Sequence, residues 1–184
     1  MVGRVKITQY TVYTIVLVLM FGCVNPFAPA LSKGDKQGQL ILTDQETPEA
    51  VLKNFSYAYN FKDSLVYSDL LDSSFQFIYN DFTTDPVTKD SWGRDVDIKT
   101  TVGLFHHFQT LNLEWGGTIF ENFLNEEKSR KEIKKTFTLT FDGGELIPTI
   151  KGEALFIFKK KIMGTLPDTS SIWKITRWED LSRF

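Results

Sequence analysis

The chain has 184 residues, which is enough for one ordinary domain with a hydrophobic core of its own. Its 21 lysine and arginine residues against 23 aspartate and glutamate residues give a formal net charge of −2. This mildly acidic balance argues against a nucleic-acid-binding protein, and it gives no electrostatic case for binding to a membrane surface.

The N-terminal segment has the features of an export signal. Arg4 and Lys6 precede an apolar core that runs from about Val12 to Phe21, with no acidic residue ahead of it. This core is about half of the roughly 20 apolar residues that a membrane-spanning helix needs, and it has the length of the apolar region of a signal peptide. The pattern therefore predicts a signal peptide over residues 1–22.

The only cysteine of the chain ends this segment, in the sequence Met20-Phe21-Gly22-Cys23. The segment resembles the bacterial lipobox, in which a small residue precedes a cysteine that receives a diacylglyceryl group before cleavage. Gly22 and Cys23 match the pattern, whereas Met20 and Phe21 depart from the usual residues. The resemblance implies that Cys23 becomes a lipidated N-terminus, which attaches the protein to a membrane of the bacterial cell envelope. An uncleaved anchor helix and a plain secretory signal are the alternatives.

Residues 23–46 contain scattered prolines and glycines and show no sustained helical or strand period. This composition predicts a lipidated, flexible tether between the membrane and a domain that spans residues 47–184. The short apolar stretch at residues 40–43 is a candidate for docking on that domain.

Three helices are predicted in the first half of the domain. Thr47, followed by Pro48 and Glu49, has the pattern of an N-cap and first turn, and Asp63 is predicted to cap a second helix. A third helix is predicted from about Asp95 to His107. Their apolar faces are predicted to consist of Val51, Leu52, Phe55, Ala58 and Tyr59 in the first, Leu65, Leu70 and Leu71 in the second, and Ile98, Val102 and Phe105 in the third.

The rest of the domain is predicted to be mostly strand, because apolar residues alternate with polar ones. The exception is the polar segment 83–94, which is predicted to be irregular. The alternating sets are Phe75, Phe77 and Tyr79; Leu111, Leu113 and Trp115; Phe137, Leu139 and Phe141; Ala154, Phe156 and Phe158; and Trp173 and Ile175. Helices first and an antiparallel sheet afterwards predict an α+β fold.

This order of elements resembles the NTF2-like superfamily, which includes SnoaL-like and ketosteroid-isomerase-like proteins. The stretches that carry the resemblance are TPEAVLKNFSYAYNFKDSLVYSDLLDSSFQFIY, WGRDVDIKTTVGLFHHF and IWKITRWED. The resemblance implies a cone in which about three N-terminal helices pack in a curved, mainly antiparallel sheet. It also implies a pocket at the wide end, which different members use for catalysis, ligand binding or dimerisation.

Aromatic residues on the predicted strands and helices supply candidates for the lining of such a pocket. They are Tyr59, Phe77, Tyr79, Trp92, Phe105, His106, Trp115, Phe137, Phe156 and Trp173. Catalytic members of the superfamily use an acid, a histidine or a tyrosine, and the groups available here are Tyr57, Tyr59, Tyr67, Tyr79, Asp97, His106, His107 and Arg177. None of them stands in a recognisable motif, so we predict no catalytic residue.

The sequence also predicts no metal or cofactor site. His106 and His107 are adjacent, so on a helix they point about 100° apart and cannot bind one metal as an i, i+4 pair would. Asp81, Asp85 and Asp90 lack the loop spacing of a calcium site.

We interpret the chain as a lipid-anchored envelope protein with one NTF2-like domain, which acts as a non-catalytic module for binding a small apolar ligand or an envelope protein. A homodimer through the sheet face is a further expectation. Two alternatives remain open at this point: a small isomerase, cyclase or dehydratase that acts on an apolar substrate, and a structural subunit of an envelope assembly.

Overall fold

The structure is a computed structural model, and it describes residues 42–141, 148–165 and 168–182. In those ranges the chain forms three helices and six strands. They are α1 (Pro48–Phe61), α2 (Ser64–Leu70), β1 (Leu71–Asp81), β2 (Thr88–Gly93), α3 (Arg94–His107), β3 (Leu111–Phe123), β4 (Arg130–Phe141), β5 (Thr149–Thr165) and β6 (Asp168–Asp180). The predicted signal peptide, Cys23 and most of the predicted tether lie outside the described residues.

The first two helices begin where the sequence predicts, because side chains cap their free backbone N–H groups. The Thr47 hydroxyl accepts a hydrogen bond from the backbone N–H of Ala50 at 3.1 Å. The Asp63 carboxylate accepts from the N–H groups of Leu65 and Val66 at 3.1 and 3.0 Å. Each cap satisfies donors that have no partner within the helix. Both predicted helix starts are confirmed.

The buried faces of the helices agree with the prediction for α1 and differ for α2 and α3. All five predicted apolar residues of α1 are buried. In α2 the buried side chains are Tyr67 and Leu70, whereas Leu65 is 81% exposed. In α3 the buried face consists of Asp97, Thr101 and Phe105, and Ile98 and Val102 are only half-buried. A polar stripe therefore lies on the inner side of α3, which the apolar spacing did not predict.

The strands form one six-stranded sheet in the order β2-β1-β6-β5-β4-β3. Every neighbouring pair is antiparallel except β1 and β6, which run parallel. The predicted α+β class with a curved, mainly antiparallel sheet is confirmed. β3 and β2 are the two edge strands, and α1 packs beside β3.

The prediction that residues 83–94 are irregular is wrong for the second half of that segment. Residues Thr88–Gly93 form β2, which pairs antiparallel with β1 so that Trp92 lies opposite Phe77. Their rings stack with centroids 4.6 Å apart. The side chains of β2 are exposed apart from Trp92, so the strand has no apolar alternation and is specified by its pairing with β1.

Strands β5 and β6 continue together beyond the strands that flank them. The last residue of β5 that pairs with β4 is Lys159, opposite Arg130, whereas the pairing with β6 continues from Lys160 opposite Trp173 onwards. On the other side, β1 begins to pair with β6 only at Ile175. The two strands therefore form a ribbon at one end of the sheet, which we call the arm (residues 160–165 and 168–173).

Aromatic rings fill the space between the helices and the inner face of the sheet. The ring of Phe55 lies at the centre, with its centroid 5.0 to 5.8 Å from those of five other rings. These neighbours are Tyr59, Tyr67, Trp115, Phe156 and Trp178. Such offset and edge-to-face contacts stabilise a core beyond the area that they bury.

The residues that precede α1 are hydrogen-bonded to the domain. The backbone N–H of Thr43 donates to Asn54 Oδ1 at 2.8 Å. The carbonyl oxygen of Gln45 accepts from the backbone N–H of Trp173 at 2.8 Å. The chain therefore enters the domain beside the base of the arm.

Candidate functional site

A buried carboxylate, Asp97, lies at the centre of the interior polar groups. Its side chain is on the inner face of α3 and is 3% exposed. The hydroxyl of Tyr67 in α2 donates to Asp97 Oδ2 at 2.5 Å, and Trp92 Nε1 at the end of β2 donates to Asp97 Oδ1 at 3.0 Å. Side chains from α2, β2 and α3 thus meet at one carboxylate, and each of its oxygens accepts a hydrogen bond.

Burial changes the acidity of this group and of its neighbours. Burial raises the pKa of Asp97 above its ordinary value of 3.8, although the hydrogen bonds from Tyr67 and Trp92 oppose the change. Burial, followed by the negative charges of Tyr59 and Asp97, raises the pKa of Tyr67 well above 10. The pKa of Tyr59 is also raised, mainly by burial. Asp97 and the two tyrosines therefore hold their protons more tightly than exposed groups of the same types would.

The ten predicted pocket-lining residues fall into three groups in the structure. The buried members are Tyr59, Phe77, Phe105, Phe156 and Trp173. Those that pack half-buried against the core are Tyr79, Trp92, Trp115 and Phe137. His106 is exposed at the end of α3. Trp115 alone among the ten lines one of the four surface grooves that we describe for residues 42–141, 148–165 and 168–182.

That groove lies between α1 and the edge strand β3 and has a volume of about 610 Å³. Its apolar floor consists of Leu52, Leu113 and Trp115, and the Trp115 indole N–H is held by the carbonyl oxygen of Leu52 at 2.7 Å. Polar side chains surround this floor: Glu49, Lys53, Ser56, Asn60, Asn112, Glu114 and Lys135. An apolar floor with a few polar groups around it is typical of a ligand-binding site.

Side chains of α1 occupy the backbone groups of β3 within the groove. The carbonyl oxygen of Leu113 accepts from Ser56 Oγ at 2.9 Å, and the N–H of Leu113 donates to Asn60 Oδ1 at 2.6 Å. An edge strand normally offers such groups to another strand. Because they are already bonded here, the groove suits a ligand recognised by side chains better than an added strand.

β3 has a bulge directly after Trp115, at the edge of the groove. The pairing of β3 with β4 is irregular between Trp115 and Thr118. Gly116 lies at this bulge, where an added Cβ would be 2.2 Å from Thr136 Oγ1. No larger residue fits there without a shift of Thr136, so the glycine permits the close approach of the two strands.

The residues that the structure describes, 42–141, 148–165 and 168–182, contain neither a metal-binding cluster nor a membrane-spanning helix. No group of three histidine, cysteine, aspartate or glutamate side chains in those ranges is arranged to hold a metal ion. None of the helices there is both long and apolar enough to cross a bilayer.

No protein-family model matches the sequence, and no curated protein matches it significantly. Solved structures do match. A proposed dehydratase of the NTF2-like family from Streptomyces avermitilis has a TM-score of 0.54 at 14% identity, over 77% of this chain and 96% of that one. An NTF2-like protein of unknown function in nutrient uptake from Rhodospirillum rubrum has a TM-score of 0.54 at 10% identity, over 73% and 96%. The domain has the NTF2-like fold.

A proposed scytalone dehydratase from Novosphingobium aromaticivorans also matches the NTF2-like domain, with a TM-score of 0.50 at 14% identity over 74% of this chain and 81% of that one. Identities this low establish the fold and assign no residue roles, since one fold serves many functions. The chemistry of the NTF2-like domain therefore has to be argued from its own side chains.

The sequence placed Tyr67 and Asp97 among the available groups but gave no sign that they meet, because they lie 30 residues apart on different helices. It also gave no sign of the polar groups around the groove, such as Asn60 and Lys135. Their common location follows from the packing of α1 against β3 and the pairing of β3 with β4, which no local pattern encodes.

Proposed function

We propose that this protein is a lipid-anchored component of the bacterial cell envelope whose NTF2-like domain binds an amphipathic ligand without catalysing a reaction. The observation that carries the proposal is the contrast between the interior, where Asp97 is held by two donors, and the open groove between α1 and β3. A ligand with an apolar body would lie over Trp115, and its polar part would contact Lys53 or Lys135.

The state of Asp97 supports a non-catalytic role. A general base must reach the proton that it removes, at about 2.6 to 3.2 Å. Both oxygens of Asp97 already accept hydrogen bonds from Tyr67 and Trp92, and the side chain is 3% exposed. A substrate would have to displace one of these donors before Asp97 could act.

Ligand binding at the groove can be tested with an apolar fluorescent probe such as anilinonaphthalene sulfonate. We expect Trp115→Ala to weaken probe binding at least about fivefold, as the loss of a contact worth roughly 1 kcal/mol. Lys135→Gln should weaken binding of an anionic probe, and Lys99→Gln on the exposed part of α3 is the matched control. Equal binding by all these variants and the natural protein would contradict the groove as the site.

The lipid anchor is supported by the lipobox-like segment that ends at Cys23. Growth of an expressing bacterium with labelled palmitate tests it. We expect the natural protein to carry the label and to sediment with membranes, and Cys23→Ser to lose both properties. A labelled serine variant in the membrane fraction would contradict lipidation at Cys23.

A second candidate function is an enzyme of the isomerase, cyclase or dehydratase type acting on an apolar substrate. The close pairing of Tyr67 with Asp97 and the raised pKa values of both groups favour it, because buried acids with shifted pKa values often serve in proton transfer. Turnover of an apolar hydroxy or keto compound that is abolished by Asp97→Asn, with the fold retained, would establish this function in place of the first.

A further inference from the structure

Basic side chains from distant parts of the sequence meet at the end of the sheet that carries the arm. Arg130 at the start of β4 lies opposite Lys159 of β5, and the N–H of Lys160 donates to the carbonyl oxygen of Ser129 at 2.7 Å. The turn between β3 and β4 therefore lies beside the base of the arm. We call Lys128, Arg130, Lys159, Lys160 and Lys161 the basic end.

These five side chains are exposed, and none of them takes part in a salt bridge with another residue of the described ranges. Two neighbouring lysines differ in this respect. Lys131 pairs with Glu49 at 2.8 Å and with Glu121 at 3.1 Å, and Lys174 pairs with Asp69 at 2.9 Å. The positive charge of the basic end is thus free to meet an anionic partner.

Acidic groups near the basic end, among them Glu132 two residues after Arg130 in β4, offset part of its charge. Asp72 interacts electrostatically with Lys161 and Lys159. Burial raises the pKa of Asp72, but hydrogen bonds from Ser74 and the charges of the two lysines lower it by more, so that the pKa lies below its ordinary value. The exposed Glu126 and Glu127 lie in the turn between β3 and β4. The side-chain amide Nδ2 of Asn125 donates a hydrogen bond to Glu127 Oε2 at 2.8 Å.

Exposed apolar side chains lie among these charges. Phe123 ends β3 and Leu124 begins the turn that follows, whereas Ile162 and Met163 follow the three lysines on the arm. The exposed fractions of these four side chains are 48%, 43%, 73% and 44%. Lys128 lies 5.8 Å from the centroid of the Phe123 ring. Large apolar residues flanked by lysine and arginine are the pattern of a surface that contacts the headgroups and outer acyl region of an anionic bilayer.

The chain enters the domain near this same end. The carbonyl oxygen of Gln45 is bonded to the N–H of Trp173, and Trp173 lies opposite Lys160 in the arm. Leu42, the first described residue, is three positions before Gln45. From Cys23 to Leu42 the chain has 19 residues, which reach at most about 65 Å in any conformation.

We infer that the basic end docks on the anionic surface of the membrane to which Cys23 is attached, so that the arm and the turn after Phe123 contact lipid headgroups. This inference rests on the lipid anchor of the proposed function. It assigns the domain an orientation, with the arm at the bilayer and the turn between β1 and β2 facing away. The latter turn carries Phe82 and Val87, which are also exposed, but most of its charged neighbours are acidic: Asp81, Asp85 and Asp90. The one basic neighbour, Lys89, forms a salt bridge with Glu179.

The test uses the full lipidated chain with one added cysteine that carries an environment-sensitive fluorophore. Ile162→Cys places the label on the arm, and Val87→Cys is the matched control at the turn between β1 and β2. Both proteins are reconstituted into phosphatidylcholine vesicles with and without 30% phosphatidylglycerol and with a quencher on the lipid. We expect strong quenching at residue 162 and little at residue 87, only with the anionic lipid, and loss of the difference in 0.5 M salt.

Removal of charge supplies the second measurement. In the Ile162→Cys background, Lys159→Gln with Lys161→Gln should lower the ratio of docked to undocked protein about 25-fold, which is about fivefold for each charge near an anionic surface. Lys99→Gln with Lys151→Gln removes two exposed charges elsewhere and should leave the ratio unchanged. Equal quenching at residues 162 and 87, or equal docking on neutral vesicles, would overturn the inference.

Two further outcomes separate this inference from the lipid anchor. Palmitate labelling reports on Cys23 independently. A chain without palmitate that still shows selective quenching at residue 162 would refute the anchor and retain the docking surface, whereas a palmitoylated chain without that selectivity would refute only the docking surface.

Discussion

The interior of the domain and its basic end place their charged groups in opposite situations. Inside, Asp97 accepts hydrogen bonds from Tyr67 and Trp92 and is closed off by aromatic rings. At the basic end, Lys159 and Lys161 are exposed and have no salt-bridge partner among the described residues. Buried polar groups stabilise the fold when all of their hydrogen bonds are made. Unpaired charges at the surface contribute little to stability and remain available to a partner.

The largest change in stability is expected from a substitution of Trp173, which is 6% exposed and belongs to the core. Trp173→Ala removes a large buried side chain, so we expect the free energy of unfolding to fall by about 3 to 5 kcal/mol. Ile162→Ala, on the exposed part of the arm, should change it by less than about 0.5 kcal/mol. Urea unfolding of both variants measures the difference. A nearly unchanged Trp173→Ala variant would place this side chain in an open pocket.

A smaller loss is expected when the buried carboxylate is removed. Asp97→Ala leaves the Tyr67 hydroxyl and the Trp92 indole N–H without their acceptor, which should cost about 1 to 3 kcal/mol. Asp95→Ala is the matched control, because Asp95 lies in the same first turn of α3 with its side chain 98% exposed. Its loss should cost less than about 1 kcal/mol, the usual effect of a charge at a helix start. If thermal unfolding shows the same loss of stability in Asp97→Ala and Asp95→Ala, the hydrogen bonds of Asp97 contribute nothing to stability.

The pH dependence of stability separates burial from hydrogen bonding at Asp97. Because the pKa of Asp97 is raised above 3.8, the folded protein binds more protons than the unfolded chain between 3.8 and the folded pKa. Its free energy of unfolding therefore falls as pH rises through that window. Asp97→Asn does not ionise, so we expect the stability of the variant relative to the natural protein to improve across the window and then stay constant.

Urea titrations of both proteins from pH 3 to 8 measure this difference. Glu49, Asp69, Asp72 and Asp81 have lowered pKa values and act in the opposite direction, but they are present in both proteins and cancel in the comparison. A gap that widens in favour of the natural protein as pH rises would contradict a raised pKa at Asp97.

The smallest expected effect on stability lies at the basic end. Lys159→Gln with Lys161→Gln should change the free energy of unfolding by less than about 0.5 kcal/mol, since the two side chains are exposed and unpaired. Lys174→Gln is the contrast, because Lys174 is buried and pairs with Asp69. Lys174→Gln should lower the free energy of unfolding by more than the double variant does in the same urea experiment. A large loss in the double variant would show that the basic end is part of the folded core.

Local patterns in the sequence predicted much of the fold because their causes are local. Thr47 and Asp63 cap helices through atoms two or three residues away, and the alternation of Phe75 and Phe77 follows from the geometry of a strand. The pattern failed at β2, whose residues lack alternation and become a strand only by pairing with β1. It also failed on α3, where Asp97 and Thr101 are buried in place of Val102, because polar groups can be buried when the tertiary structure supplies their partners.

The sequence by itself determined the helix starts, most of the strands, the α+β class and the grouping of aromatic residues into a core. It also carries the prediction of a lipid anchor at Cys23, which lies outside the described residues. Only the tertiary structure decided that Tyr67 meets Asp97, that the groove lies between α1 and β3, and that Arg130 lies beside Lys159. In sequence, Glu126, Glu127 and Glu132 stand among or beside the basic residues of 128–135 and the net charge is −2, so the sequence did not predict a basic surface. Strand pairing creates the basic end, because it places Arg130 and Lys159 side by side although they are far apart in sequence.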